Sequence, residues 1–287
     1  MKIDLHVHSA CSDGSLPVSE VIAEASKRSI DLLSLTDHDN IECQDEAIAL
    51  AQKYGIEYIT GVELNVTFPH PYESGKTISL DFLGYQYDNH NRELKNKLET
   101  IRERREVRAR EILDKLNADF AIEHIPKFDA TDIKNIQDSV DGSFGRPHIA
   151  RYLLKKGIVG SVQEAFDRYL VRLDVPKFPL SLQDASKLIR NAGGKLALAH
   201  PNDPHGTSLN SVTPDLKKQT DIIEKYMLDY IDGVECWHAS NQTVTSSHYV
   251  KFAREHGLLM TGGSDCHQKP IIMGTVDIPD WVAQQFA

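Results

Sequence analysis

The alternation of short apolar runs with amphipathic helical stretches constrains this chain more than any other feature. "KIDLHVH" reads as a strand, with Ile3, Leu5 and Val7 on one face and Asp4, His6 and His8 on the other. "VSEVIAEASKRS" is amphipathic and helical, behind a Pro17 whose fixed φ suits a first helical turn. "LLSLTDH" reads as a second strand, "CQDEAIALAQKYG" as a second helix closed by glycine, and "EYITGVELNV" as a third strand. Parallel strands need a crossover, and a helix provides one compactly, so this rhythm predicts a parallel sheet. The expected class is α/β, with an α/β barrel as its form.

"HPYESGK" interrupts as a turn-rich loop before the strand "TISLDFLGYQY". From Arg92 to Asn117 the period is helical: Leu94, Leu98, Ile101, Arg105, Ala109, Ile112 and Leu116 recur at spacings of three and four. Five arginines between Arg102 and Arg110 read as a solvated, ion-paired helix face. Further helical patterns, "RPHIARYLLKKG" and "SVQEAFDRYL", precede the loop "DVPKFPLS". The α/β rhythm then resumes through the strands "KLALAHP", "DGVECWH" and "LLMTGGSDCH". The expected organisation is a discontinuous barrel, 1–91 and 181–287, carrying a helical insertion or cap at 92–180.

No apolar stretch approaches the roughly 18–20 residues that span a bilayer. "MKIDLHVHS" lacks the continuous apolar stretch of a signal peptide, so a cytoplasmic location is expected, with no membrane contact. The four cysteines (Cys11, Cys43, Cys236, Cys266) include no C-x-x-C pair and read as reduced thiols. A net charge of −10 argues against an extended nucleic-acid surface, although a local cluster of cations can still hold a small phosphorylated molecule.

The residues suited to chemistry fall at or just beyond the ends of the expected strands: His6 and His8, Asp13, Asp37 and His38, Glu63, His200, His238, and Asp265 with His267. In α/β barrels these ends face one common mouth, so positions far apart in sequence converge there. His6 and His8 have period two and project to one side of one strand, as do Asp265 and His267. Imidazoles mixed with carboxylates suit Zn²⁺, Mn²⁺ or Fe²⁺ better than Mg²⁺. A single histidine is usually a packed or surface residue, but this set at strand ends points to metal ions.

"HVHSACSDGS", "LTDHD", "GVE", "AHP" and "GGSDCH", in this order, resemble the polymerase and histidinol phosphatase (PHP) family of metal-dependent phosphoesterases. The resemblance covers roughly 1–88 and 182–275. It implies a distorted (β/α)₇ barrel with two or three divalent metals. On it, His6, His8, Glu63 and Asp265 hold one metal, and Asp13, His38 and His267 a second. A third would take Glu63, His200 and the position occupied here by Asp81, where the family has histidine. That site then persists with altered preference, is lost, or recruits His70.

The segment "GRPHIARYLLKKG…EAFDRYL" is similar to the insertion of a branch that includes 3′,5′-nucleotide bisphosphate phosphatases and RNA 5′-end exonucleases. The implied partner is a small phosphorylated substrate, a nucleotide bisphosphate or a short RNA 5′ end. Cyclic phosphodiester or sugar-phosphate hydrolysis, and a non-catalytic metal- or nucleotide-binding sensor, are the alternatives. Asp265 and His200 are the expected catalytic groups, with His200 either a third-metal ligand or a phosphate contact and leaving-group acid. Arg146 and His148 are candidates for gripping a second phosphate or the nucleotide. His238 and Asn202 are candidates for lining the pocket.

Overall fold

The computed structural model describes residues 1–137, 145–175, 178–205 and 207–287. In chain order the elements are β1 (Ile3–Val7), α1 (Val18–Lys27), β2 (Leu32–Leu35), α2 (Gln44–Tyr54), β3 (Glu57–Tyr58), β4 (Gly61–Pro69) and β5 (Thr77–Tyr85). There follow α3 (Arg92–Glu123), α4 (Ala130–Gln137), α5 (Arg146–Lys155), α6 (Val162–Ala165) and α7 (Leu182–Asn191). The chain closes with β6 (Lys195–Leu198), α8 (Leu216–Tyr226), β7 (Gly233–His238), α9 (Thr243–His256) and β8 (Leu259–Gly263).

The strands form a three-stranded sheet, β1-β2-β3, and a five-stranded sheet, β4-β5-β6-β7-β8. The parallel rhythm read from the sequence holds within β1-β2-β3 and within β6-β7-β8. β5 departs from it, running antiparallel to both β4 and β6. The reason is local: the 70–76 turn is too short for a crossover and folds β5 straight back on β4, where His70 N–H donates to the Lys76 carbonyl at 2.9 Å. The expected third strand divides into β3 and β4, which pair in different sheets.

Isolated parallel bridges join the two sheets along two seams, Val7 to Cys266 and His38 to Glu63. At the first seam His8 N–H donates to the Cys266 carbonyl (3.1 Å), and Asp265 N–H to the His6 carbonyl (2.8 Å). At the second, Asp39 N–H donates to the Glu63 carbonyl (2.8 Å) and Glu63 N–H to that of Asp37 (3.3 Å). The chemistry-bearing residues therefore sit where the sheets meet. Gly263 permits the first seam: a Cβ there would lie 2.3 Å from His6 Cβ and 2.4 Å from His6 N.

The main apolar core packs α7, α8 and α9 against the five-stranded sheet through Val62, Leu64, Phe82, Leu196, Ile223 and Tyr249. α3 starts on that core through Leu94, Leu98 and Ile101. Its second half joins a separate apolar cluster with Ile149, Leu153, Phe128 and Tyr169. No described helix is long and apolar enough to cross a membrane.

The cysteine reading is corrected. Cys11 and Cys43 form a disulfide across 32 residues of sequence, while Cys236 and Cys266 are free and buried. The bond joins the turn after β1 to the start of α2, a tertiary approach that cysteine spacing does not reveal. The support that free thiols lent to a reducing compartment falls with it.

Gly263→Ala should push β1 away from β8 and cost about 1–3 kcal/mol of stability. Denaturant unfolding checks this, and an unchanged midpoint would contradict the seam.

Candidate metal centre

β1 delivers its alternating polar residues into the seam, where His6, His8 and Asp4 are at most 2 % exposed. His6 Nδ1–H donates to Glu235 (3.0 Å), which turns Nε2 toward β4 and β8. There His6 Nε2 and His8 Nε2 lie 3.2 Å apart. Glu63 Oε2 is 3.4 Å from the first and 3.2 Å from the second. Asp265 Oδ1 is 3.2 Å from both. Four donors around one tetrahedral cation at ligand distances near 2.0–2.1 Å would be separated by roughly 3.3 Å. The spacing fits such an ion without rearrangement.

Two more groups adjoin this one. His8, Asp13, His38 and His267 form one, with His267 Nε2 3.3 Å and His38 Nε2 3.9 Å from the Asp13 carboxylate. His267 Nδ1–H donates to the Asp265 carbonyl (2.9 Å), leaving Nε2 for Asp13. Glu63, Asp81 and His200 form the other, with His200 Nε2 3.0 Å from Glu63 Oε1. Asp81 also accepts from Asn65 Nδ2 (2.5 Å) and from the Thr207 hydroxyl. His70 does not reach this group; its Nδ1 accepts from Tyr72 and Glu73 N–H on the hairpin loop.

Among the described residues, buried atoms of His8 (Nδ1), His38 (Nδ1), His200 (Nδ1) and Asp265 (Oδ1) have no hydrogen-bond partner. Unsatisfied buried polar atoms are costly, and among these Asp265 Oδ1, which faces His6 and His8, is placed as a candidate cation ligand. Asp39, His200 and Asp265 also take positive φ (48°, 24° and 55°), backbone strain held at the site by its surroundings.

Burial opposes charge on Glu63, Asp13 and Asp265, but the facing imidazoles outweigh it and hold all three carboxyls well below the usual range. Reciprocally, burial disfavours the imidazoliums while the carboxylates favour them. His6 is raised well above its usual value, and His8 and His200 are raised to about 10. Protons thus supply the positive charge that this acidic cluster needs when no cation does.

A cavity of about 410 Å³ opens on these groups, walled by Asp13, His38, Glu63, Asp81, His200, Asp265 and His267. The same cavity is lined by Arg105 and Arg108 of α3 and by Arg146 at the start of α5. Arg105 pairs with Asp39, while Arg108 and Arg146 share Asp174. Burial opposes the Arg105 charge, and Asp39 more than restores it.

The structure therefore brings together all nine expected ligands, with Arg146 lining the same cavity. The other substrate candidates, His148, His238 and Asn202, are not among the residues that line this cavity. His148 is 4 % exposed, and its Nδ1 accepts from Gly145 N–H at the start of α5. His238 is a wall of a neighbouring cavity, with Nε2 3.4 Å from Asp265 Oδ2. The Asn202 side-chain carbonyl accepts from Gln219. Sequence reasoning assigned no role to Arg105 and Arg108, although Arg105 lay on the apolar stripe of its helix, where a cation needs a reason. It also passed over Glu235, which holds His6 and the His200 backbone N–H (2.7 Å), and Asp4, which accepts from Ser264 N–H (2.9 Å) and Gly274 N–H (2.7 Å).

Contiguous histidine and carboxylate groups lying beneath arginines define a metal-dependent hydrolase of phosphate esters. The PHP domain model matches residues 4–184, and the chain belongs to that family of phosphoric ester hydrolases. A 5′-3′ exoribonuclease of Haemophilus influenzae is 30 % identical over 277 residues, covering 93 % of this chain and 90 % of the relative. A 3′,5′-nucleoside bisphosphate phosphatase of Chromobacterium violaceum is 30 % identical over 285 residues, covering 92 % and 87 %. Among solved structures, an amidohydrolase from Chromobacterium violaceum with bound sulfate superposes with a TM-score of 0.79 at 30 % identity, covering 98 % of this chain and 93 % of that one.

A cation must take neutral imidazole, so at neutral pH its binding should expel protons from His8 and His200, and affinity should rise as pH rises toward 10. Calorimetry in buffers of different ionisation enthalpy should register at least about one proton released; none released would contradict the charge balance. Glu235→Gln, which weakens the hold on His6, should lower cation affinity roughly 10- to 100-fold.

Proposed function

We propose that this chain hydrolyses a small substrate bearing two phosphates, a 3′,5′-nucleotide bisphosphate or the 5′ end of a short RNA. The observation that carries this reading is that one cavity joins both chemistries. Its histidines and carboxylates could hold cations for the scissile phosphate, and Arg105, Arg108 and Arg146 line the same space and suit a second phosphate. The named activities of the Haemophilus and Chromobacterium relatives agree with such a substrate. The arginines give a phosphate local hydrogen-bonding cations in a chain of net charge −10, although each is already paired, with Asp39 or Asp174.

In this reading His6, His8, Glu63 and Asp265 hold one divalent ion, Asp13, His38 and His267 a second, and Glu63, Asp81 and His200 a third. Mn²⁺, Zn²⁺ and Fe²⁺ suit these donors. When bound, such ions lower the pKa of water and neutralise charge on the phosphoryl oxygens. The chain's own groups do the rest. Asp265 and Glu63 fix the donor geometry, and Glu235 sets the direction of His6. The arginines orient the substrate and balance charge that builds on it. With two ions bound, His200 would instead contact a phosphate or give a proton to the leaving oxygen, its Nε2 lying 3.0 Å from the Glu63 carboxylate. The reading also takes 1–91 and 181–287 as a distorted (β/α)₇ barrel of the family's kind, and 92–180 as its helical insertion or cap.

Phosphate release from nucleotide bisphosphates, 5′-phosphorylated oligoribonucleotides, cyclic phosphates and sugar phosphates, with Mn²⁺ added, tests the substrate. Bisphosphates and RNA 5′ ends should lead. Preference for a cyclic or sugar phosphate would move the assignment to that class, and no turnover of any would overturn it. His8→Ala and Asp265→Asn should each lower turnover roughly 1000-fold or more with an unchanged far-UV spectrum. Asp81→His should raise cation content if that position ligates, and elemental analysis reads this directly.

A further inference from the structure

Beyond the phosphates, we infer that Phe178, bracketed by Lys97 and Arg104, is a stacking platform for the substrate's nucleobase. This rests on the nucleotide reading above and extends it from the phosphates to the base.

A narrow hollow of about 20 Å³ lies beside the metal cavity and shares Asn65, Arg105 and Arg108 with it as walls. Phe178, Leu180 and Ile101 form its apolar side, and Arg104 its basic rim. The hollow is too small to enclose a base. Phe178, however, is 39 % exposed, which leaves part of its surface open to a planar ring beside the two cations that lie over it. A single exposed phenylalanine is ordinary on a protein surface. What sets this one apart is its surroundings.

The Lys97 ammonium lies 5.5 Å and the Arg104 guanidinium 5.6 Å from the centre of the Phe178 ring. Among the described residues neither cation has a carboxylate partner within ion-pair distance. Lys97, Ile101, Arg104 and Arg108 recur at spacings of four, three and four, so one face of α3 presents them together with Arg105. The support beneath the ring is firm: the Leu180 carbonyl accepts from Thr67 N–H at 2.9 Å, tying this segment to β4.

An aromatic face flanked by cations, one step from arginines that suit a phosphate, is the combination that binds a base and its backbone together. Stacking on such a platform tolerates any base, because every base has a π-face, and the flanking cations add cation–π attraction and steer the phosphates. A sugar phosphate has no group to place there. The platform thus supplies a physical reason for nucleotides to be preferred over smaller phosphate esters.

The test compares two ligands of the metal-loaded full chain: adenosine 3′,5′-bisphosphate and the same ribose bisphosphate lacking its base. By competition binding the base should tighten affinity roughly 5- to 100-fold. Phe178→Ala should remove that advantage and leave the abasic ligand's affinity unchanged, while Phe178→Trp should preserve it. No advantage from the base in the unsubstituted chain, or equal loss for both ligands in Phe178→Ala, would overturn the platform. Base-dependent binding without phosphate release would support the platform and overturn the hydrolytic assignment of this nucleotide. The two claims therefore fail separately.

Discussion

Everything at this site depends on one carboxylate buried among imidazoles. Glu63 is 1 % exposed and lies within 3.0–3.4 Å of ring nitrogens from His6, His8, His38 and His200. A buried carboxylate alone would be neutralised by protonation; this one stays charged because four rings face it. The same residue forms the bridge with His38 that joins the three-stranded sheet to the five-stranded one. The electrostatic centre and the seam of the fold are thus one position, which couples the geometry of the ligands to the integrity of the sheets.

A second layer keeps that arrangement from relaxing. Glu235 fixes His6 and the backbone at His200, and Asp4 collects N–H groups from Ser264 and Gly274. Asp37 accepts from the Ser9 and Ser12 hydroxyls and so shapes the turn that carries Asp13. α5 reaches the same turn, where Arg151 donates to the Asp13 carbonyl at 2.7 Å. Helices remote in sequence from the candidate ligands therefore contribute both to holding them and, through Arg105, Arg108 and Arg146, to lining the cavity.

That most of these candidate residues would meet was legible in the sequence because it rests on strand period and strand ends, whereas Asp81 and the grouping around each ion came from the family resemblance. Two residues apart on a strand, His6 and His8 have to share a side, and Asp265 and His267 repeat the device. The remainder depends on distances that no local pattern encodes. Whether an arginine on α3 meets solvent or a cavity depends on where the helix docks, so Arg105 and Arg108 were taken for surface charges. The reversed direction of β5 follows from a short turn, and the Cys11–Cys43 bond from two loops meeting. His238 and Asn202 do lie near strand ends, yet their side chains turn to Asp265 and Gln219. A strand end limits where a residue sits more tightly than where its side chain points.

The most direct test of this account is a crystal structure of the Mn²⁺-loaded protein with anomalous scattering used to place the ions. The account predicts an ion held by His6, His8, Glu63 and Asp265, a neighbour on Asp13, His38 and His267, and the Glu63 carboxylate as the common ligand if a third ion joins Asp81 and His200. No ion on Glu63, or one ion alone with the second group turned to other partners, would contradict it.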